Sequence, residues 1–136
     1  MLKYFILFLY LTVSGIYDLI YKKVPGKLIF SFAAILALSL ILTGNFKPDV
    51  LSFLPGFFIV FISLVTGGLI GIADGATFLI CGMVFNSAEI FSILFCSFFI
   101  CSICGLFIFL KTRNRHYSLP FIPFILISSI ICIILR

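Results

Sequence analysis

The chain has 136 residues, of which 64% are hydrophobic and 10% charged, with a formal net charge of +5. A soluble domain carries nearer a quarter of charged residues, and one this short has too little interior to hide so much apolar surface, so an ordinary soluble fold is excluded and lipid is the expected solvent. On so apolar a chain the positive charge reads as orientation and lipid-headgroup contact, not nucleic-acid binding.

Leu2 to Ile20 is an apolar run that closes on Tyr17-Asp18. It is too long for a secretory signal, lacks a small-residue cleavage site and carries an acid, so it reads as a first membrane span. Tyr21-Lys-Lys-Val-Pro-Gly-Lys27 is a basic turn punctuated by Pro25-Gly26, and Leu28 to Thr43 is a second span. Gly44 to Asp49 is a polar turn, and Val50 to Ile90 has room for two spans whose connecting turn falls between Gly67 and Gly75. Gly75 to Phe85 alone is too short to cross a bilayer, so a fourth span must borrow residues from its flanks or tilt little. Asn86-Ser-Ala-Glu89 is a polar break, Phe91 to Leu110 a fifth span, and Lys111 to Ser118 a basic turn. Leu119 to Leu135 is a sixth span with Pro120 and Pro123 in its first turns, where helix amides have no internal partner to lose. The expected fold is an all-α membrane protein, about six transmembrane helices in one bundle, forming a single domain over residues 1–136.

Between Val50 and Leu110 the only charged residues are Asp74 and Glu89. Gly67, Gly68, Gly71 and Gly75 flank Asp74, and glycine permits close backbone approach or a break in a helix. An acid in apolar surroundings is costly to keep ionised and marks a functional site by default. Lysine and arginine fix the expected orientation. Lys22, Lys23, Lys27, Lys111, Arg113 and Arg115 fall on one side, against Lys3, Lys47 and Arg136 on the other, which puts the first set in the cytoplasm. Asp18 and Asp74 then arrive at the same depth on the cytoplasmic side, while Asp49 and Glu89 read as solvated loop acids on the outer side.

Two acids suffice to hydrolyse a peptide bond without a metal or a strong nucleophile. One carboxylate takes a proton from water while the other, protonated, hydrogen-bonds the scissile carbonyl, and mutual repulsion lets the pair hold a single proton. No competing set is present: the single histidine, His116, sits in a basic loop, and there is no nucleophile elbow, zinc motif or phosphate loop. Cys101-Ser-Ile-Cys104 has redox or zinc spacing but no polar shell, and Cys81, Cys96, Cys101, Cys104 and Cys132 all read as small buried hydrophobes. Neither a metal nor a cofactor is expected.

Asp18-Leu-Ile-Tyr-Lys-Lys-Val-Pro25 resembles the first motif of the type IV prepilin peptidases, an Asp, a basic stretch and then Ile or Val before Pro. Gly71-Ile-Ala-Asp74 is similar to their second motif, which usually reads Gly, any residue, Gly, Asp, and Leu119-Pro-Phe-Ile-Pro-Phe124 to the element that opens their last helix. The resemblance implies a six-helix membrane aspartic endopeptidase of a bacterial or archaeal cytoplasmic membrane. Its partners would be the lipid bilayer and the basic leader of prepilins or pseudopilins, cleaved at the cytoplasmic face. On that carry-over Asp18 and Asp74 are the catalytic pair, supported by Pro25, Gly71, Ala73, Gly75, Pro120 and Pro123. Ala73 departs from the usual Gly, Ala76 from the usual Lys, Gly26 from Asn, and Ile122 from Gly. The chain resembles the short form of the family, without the N-terminal segment of bifunctional members, and cleavage without methyl transfer is expected. Tyr17-Asp18 with Gly71-Ile-Ala-Asp74 is also similar to the presenilin and signal-peptide-peptidase class, whose members are much longer.

Plainer readings stand beside these. Asp18 is also what an ordinary helix-end acid paired with Lys22 looks like, and Asp74 what a structural acid bonded to a neighbouring helix looks like. A non-enzymatic bundle, as a cation or proton carrier or an assembly subunit, is the alternative of a different class, and a family member weakened by Ala73 and Ala76 is a third.

Overall fold

The computed structural model describes residues 2–44, 49–67, 71–112 and 119–135. Lys47, Gly68, Arg113, Arg115, His116 and Arg136, used in the reading above, lie outside the described residues. The described chain is all-helical. Helix α1 spans Leu2–Tyr21, α2 Gly26–Leu42, α3 Leu54–Val65 after a 3-10 turn at Val50–Phe53, α4 Ile72–Gly82, α5 Ser87–Thr112 and α6 Ile122–Ile134. Two of them, α1 and α5, are long and apolar enough to cross a membrane.

The helices start and stop where local chemistry requires. Lys22 enters the left-handed region at φ 52° and its amide closes onto the Asp18 carbonyl, which ends α1. Pro25 takes the position before α2, where its missing N–H costs nothing, and its carbonyl accepts the Leu28 amide at 3.0 Å. At the other end of the bundle Asp49 serves two elements: its carboxylate accepts from the Leu51 amide at 3.3 Å and from the Ser87 amide at 3.1 Å, so it caps both the 3-10 turn and α5. Those bonds, chiefly from Ser87, hold the Asp49 carboxyl below the usual carboxylate range. Glu89, in the first turn of α5, reaches back to the Asn86 amide at 3.0 Å, one half of a capping box. The expectation of two solvated loop acids is refined: both stay partly exposed, each also closes a helix end, and Glu89 stands in α5, not in a loop.

Three further expectations change. Residues 50–90 do not hold two spans of about 20 residues: α4 has 11 residues, about 16 Å of rise, because Gly71 starts it and Gly82 ends it. Helix α6 begins at Ile122, so Pro123 lies in its first turn but Pro120 lies outside it. Of the cysteines only Cys81 is buried, whereas Cys96 is exposed and Cys101, Cys104 and Cys132 are half-buried. Helix α5 packs chiefly on α6 and the 3-10 turn, which leaves much of its circumference outward.

Helices α1 and α4 run antiparallel, since Tyr4 stacks near Phe85 at 5.9 Å while Tyr10 bonds Thr77. The core is continuous through Leu7, Tyr10 and Leu11 of α1, Leu36 and Leu40 of α2, and Phe78 and Cys81 of α4. It continues into Ile122 and Ile125 of α6. The closest packing is between α3 and α4. A Cβ on Gly56 would lie 2.8 Å from Leu79, one on Gly75 2.6 Å from Val60, and one on Gly82 2.7 Å from the Ser52 carbonyl. Glycine is required along this seam because the backbones touch. Ser52 locks it, donating to the Gly82 carbonyl at 2.7 Å.

Candidate active site: two carboxylates at one end of the bundle

Asp18 reaches its place through helical periodicity. Leu7, Tyr10, Leu11, Ser14, Gly15 and Asp18 are the buried residues of α1, an i, i+3, i+4 stripe that ends in the acid. Within it Tyr10, Ser14 and Asp18 form a polar ladder at four-residue spacing on the inward face. This signal was present in the sequence and is independent of any family motif. Asp18 is 9% exposed, and its Oδ2 accepts the Ile122 amide at 3.2 Å. The Phe121 amide also bonds this carboxylate. Helix α6 is thus capped by a carboxylate from α1, and Pro123 in its first turn removes one of the amides that would otherwise need a partner. The next contact along the same seam is Gly15, where a Cβ would lie 3.8 Å from Pro123 Cγ.

Asp74 lies in the first turn of α4, one turn before Phe78 and two before Cys81 on the core-facing side. It is half-buried, beside exposed Gly71 and Ile72. Its amide closes onto the Gly71 carbonyl at 3.0 Å, and its Oδ2 folds back over Gly71, 2.9 Å from where a Cβ would be. Gly71 is therefore the space the carboxylate occupies, and Gly75 sets how near α3 the acid's own helix lies. Ala73 is half-buried, and its carbonyl accepts the Thr77 hydroxyl at 2.8 Å.

The two acids come to the same end of the bundle. From the Tyr10–Thr77 contact, Asp18 lies about 12 Å further along α1, and Asp74 about 4.5 Å further along antiparallel α4 in the same direction. Each Cβ tilts toward its own helix N-terminus, so Asp18 leans into the bundle and Asp74 leans out of it, which narrows the offset. The charge of Asp18 is felt at Asp74. Pro25, exposed, contributes the start of α2 at this end, and half-buried Pro120 precedes the capped amides of α6. A cleft of about 290 Å³ between α5 and α6, lined by Glu89, Ser92, Cys96 and Ser128, lies toward the opposite end and is no part of this arrangement.

The apolar helical bundle thus draws two acids to one end, one of them bonded to the start of a neighbouring helix. The sequence pattern of the type IV leader peptidase family matches residues 5–110, and the chain belongs to that family. It is a protease by family. The match contains Asp18 and Asp74 and stops before the Leu119–Phe124 element. No curated protein and no solved structure matches the chain significantly.

Proposed function

We propose that Asp18 and Asp74 are the catalytic pair of a six-pass leader peptidase that cleaves the basic leader of a prepilin-like or pseudopilin substrate at the cytoplasmic face. The observation that carries this reading is the convergence of the two acids, 56 residues apart, at one end of the bundle on core-facing sides of α1 and α4. The four shorter apolar helices complete six passes if the bilayer thins locally around them, at a modest cost per ångström.

The hydrogen bonds divide the roles. Asp18 already accepts amide hydrogens from α6, which suits it to be the base that takes a proton from the attacking water. Asp74, folded over Gly71 at the exposed start of α4, is the acid whose proton bonds the scissile carbonyl oxygen. The water oxygen bonds to the carbonyl carbon as Asp18 takes the water proton, and the carbonyl oxygen takes the Asp74 proton; the C–N bond then breaks as Asp18 passes its proton to the leaving amine and Asp74 takes one back from a gem-diol hydroxyl, leaving a carboxylic acid. Incubating the purified protein in detergent with a synthetic prepilin tests the proposal. A single cut between leader and mature segment is expected, and an intact substrate under all conditions would contradict it.

The α6 cap also favours a second reading, in which Asp18 is a structural acid. Asparagine separates the two, because it keeps an acceptor for the Ile122 amide but cannot take up the proton.

A further inference from the structure

A hydroxyl chain buried between α1 and α4 ends on the peptide bond that carries Asp74. Tyr10 Oη and Thr77 Oγ1 are 3.0 Å apart, with both residues fully buried. Thr77 Oγ1 also lies 2.8 Å from the Ala73 carbonyl, which can only accept. The single proton of Thr77 is therefore committed to Ala73, and Tyr10 must donate to Thr77. The result is one directed chain, Tyr10 O–H to Thr77 O–H to the Ala73 carbonyl. The Tyr10 ring is held in turn by Phe32 of α2, centroids 5.6 Å apart. Within electrostatic reach of the Tyr10 hydroxyl is Asp74 itself.

Tyr10 and Asp18 share the inward stripe of one helix, Thr77 and Asp74 the first two turns of the other. This chain links α1 to α4 through buried polar groups, and the aromatic contact of Tyr4 with Phe85 lies toward the far end. Apolar contacts let helices slide by fractions of an ångström, whereas a directed hydrogen bond in a buried site fixes their register. We infer that Tyr10 and Thr77 are positioning residues: together they set the register of α1 against α4, and so the separation at which Asp18 and Asp74 work. The inference rests on the two-acid reading above.

Tyr10→Phe keeps the ring against Phe32 and leaves the Thr77–Ala73 bond intact, so it removes the link while the Ala73 carbonyl keeps its donor. Thr77→Val removes both bonds at nearly constant volume. Each should lower kcat roughly 10- to 100-fold on a synthetic prepilin, the scale of an ångström misplacement, with KM little changed; the melting temperature should hold in Tyr10→Phe and fall in Thr77→Val, which leaves the buried Tyr10 hydroxyl without its acceptor. The double variant should be no worse than the worse single one, since both cut the same chain. Thr77→Ser, which keeps the hydroxyl, should restore most of what Thr77→Val loses. A readout independent of activity is oxidative cross-linking of cysteines placed at 18 and 74 in a background lacking native cysteines, which Tyr10→Phe should slow. Wild-type kcat and unchanged cross-linking in Tyr10→Phe, beside an inactive Asp74→Asn, would overturn the inference and leave the two-acid reading standing. Full turnover in Asp74→Asn would overturn both. A fall in melting temperature with kcat unchanged would show a merely structural bond and also overturn it.

Discussion

Replacing Gly75 by alanine perturbs the seam between α3 and α4 one residue from a proposed catalytic acid. The new Cβ would lie 2.6 Å from Val60 Cγ2, 2.9 Å from Val60 N and 3.2 Å from the Gly56 carbonyl oxygen. The first contact can be relieved by a side-chain rotation, but the other two are backbone, so α4 must retreat from α3 by about 0.5 Å to restore ordinary contact. Overpacking of this kind costs about 1–3 kcal/mol, and alanine returns about 1 kcal/mol of helix propensity, for a net loss of about 0–2 kcal/mol. Turnover is the sharper measure, because the shift is delivered to Asp74 on the next residue, and a displacement approaching 1 Å costs up to about 100-fold. Gly15→Ala is the control: its Cβ would sit 3.8 Å from Pro123 Cγ, in ordinary contact. Thermal unfolding in detergent and kcat on a synthetic prepilin would be measured for both. Equal stability and activity of Gly75→Ala and Gly15→Ala would refute the close α3–α4 contact as a determinant of the Asp74 position.

Gly71→Ala would place a Cβ 2.9 Å from Asp74 Oδ2, so the carboxylate must swing away; turnover should fall while the melting temperature holds, and unaltered kcat would show that the present carboxylate position is not the working one. Ser52→Ala removes the buried donor to the Gly82 carbonyl and should cost about 1–3 kcal/mol, yet leave kcat intact at permissive temperature because it lies toward the opposite end from the acids; an activity loss larger than the stability loss would contradict that separation. Asp49, held below the usual range by its bonds from Ser87, contributes stability that is fully present above the unfolded carboxylate pKa of about 3.9 and is lost as pH falls through the lower folded value. Asp49→Asn should therefore flatten the acid side of the stability profile, and an unchanged acid slope would show that this cap does not titrate with folding.

Local pattern carries much of this fold. The apolar runs locate the six α-helices of the described residues, Pro25-Gly26 marks the entry to α2, and the break between α3 and α4 falls in the glycine-rich segment before Asp74. What the sequence hides is pairing at long range. Asp49 with Ser87, Ser52 with Gly82, Tyr10 with Thr77 and Asp18 with Ile122 are joined across 38, 30, 67 and 104 positions, and no local composition encodes such partners. The capping roles of Asp49 and Glu89 were hidden because a polar loop and a helix cap use the same residues. Cys96 looked buried because in lipid an apolar helix surface says nothing about which side faces protein. The place of Asp18 was more legible than its motif alone suggests, since Tyr10, Ser14 and Asp18 recur at helical spacing on the stripe marked by Leu7 and Leu11.

Turnover of Asp18→Asn and Asp74→Asn on a synthetic prepilin, each compared with its folded fraction in detergent, tests the carboxylate pair most directly. Asparagine at 18 can still accept the Ile122 amide, so the fold of α6 should survive, whereas Asp18→Ala should lose about 1 kcal/mol or more with the cap. The paired-acid account predicts that each asparagine variant folds and is inactive, and that the double variant is no worse than either single one. Near-normal cleavage by either single variant would contradict it.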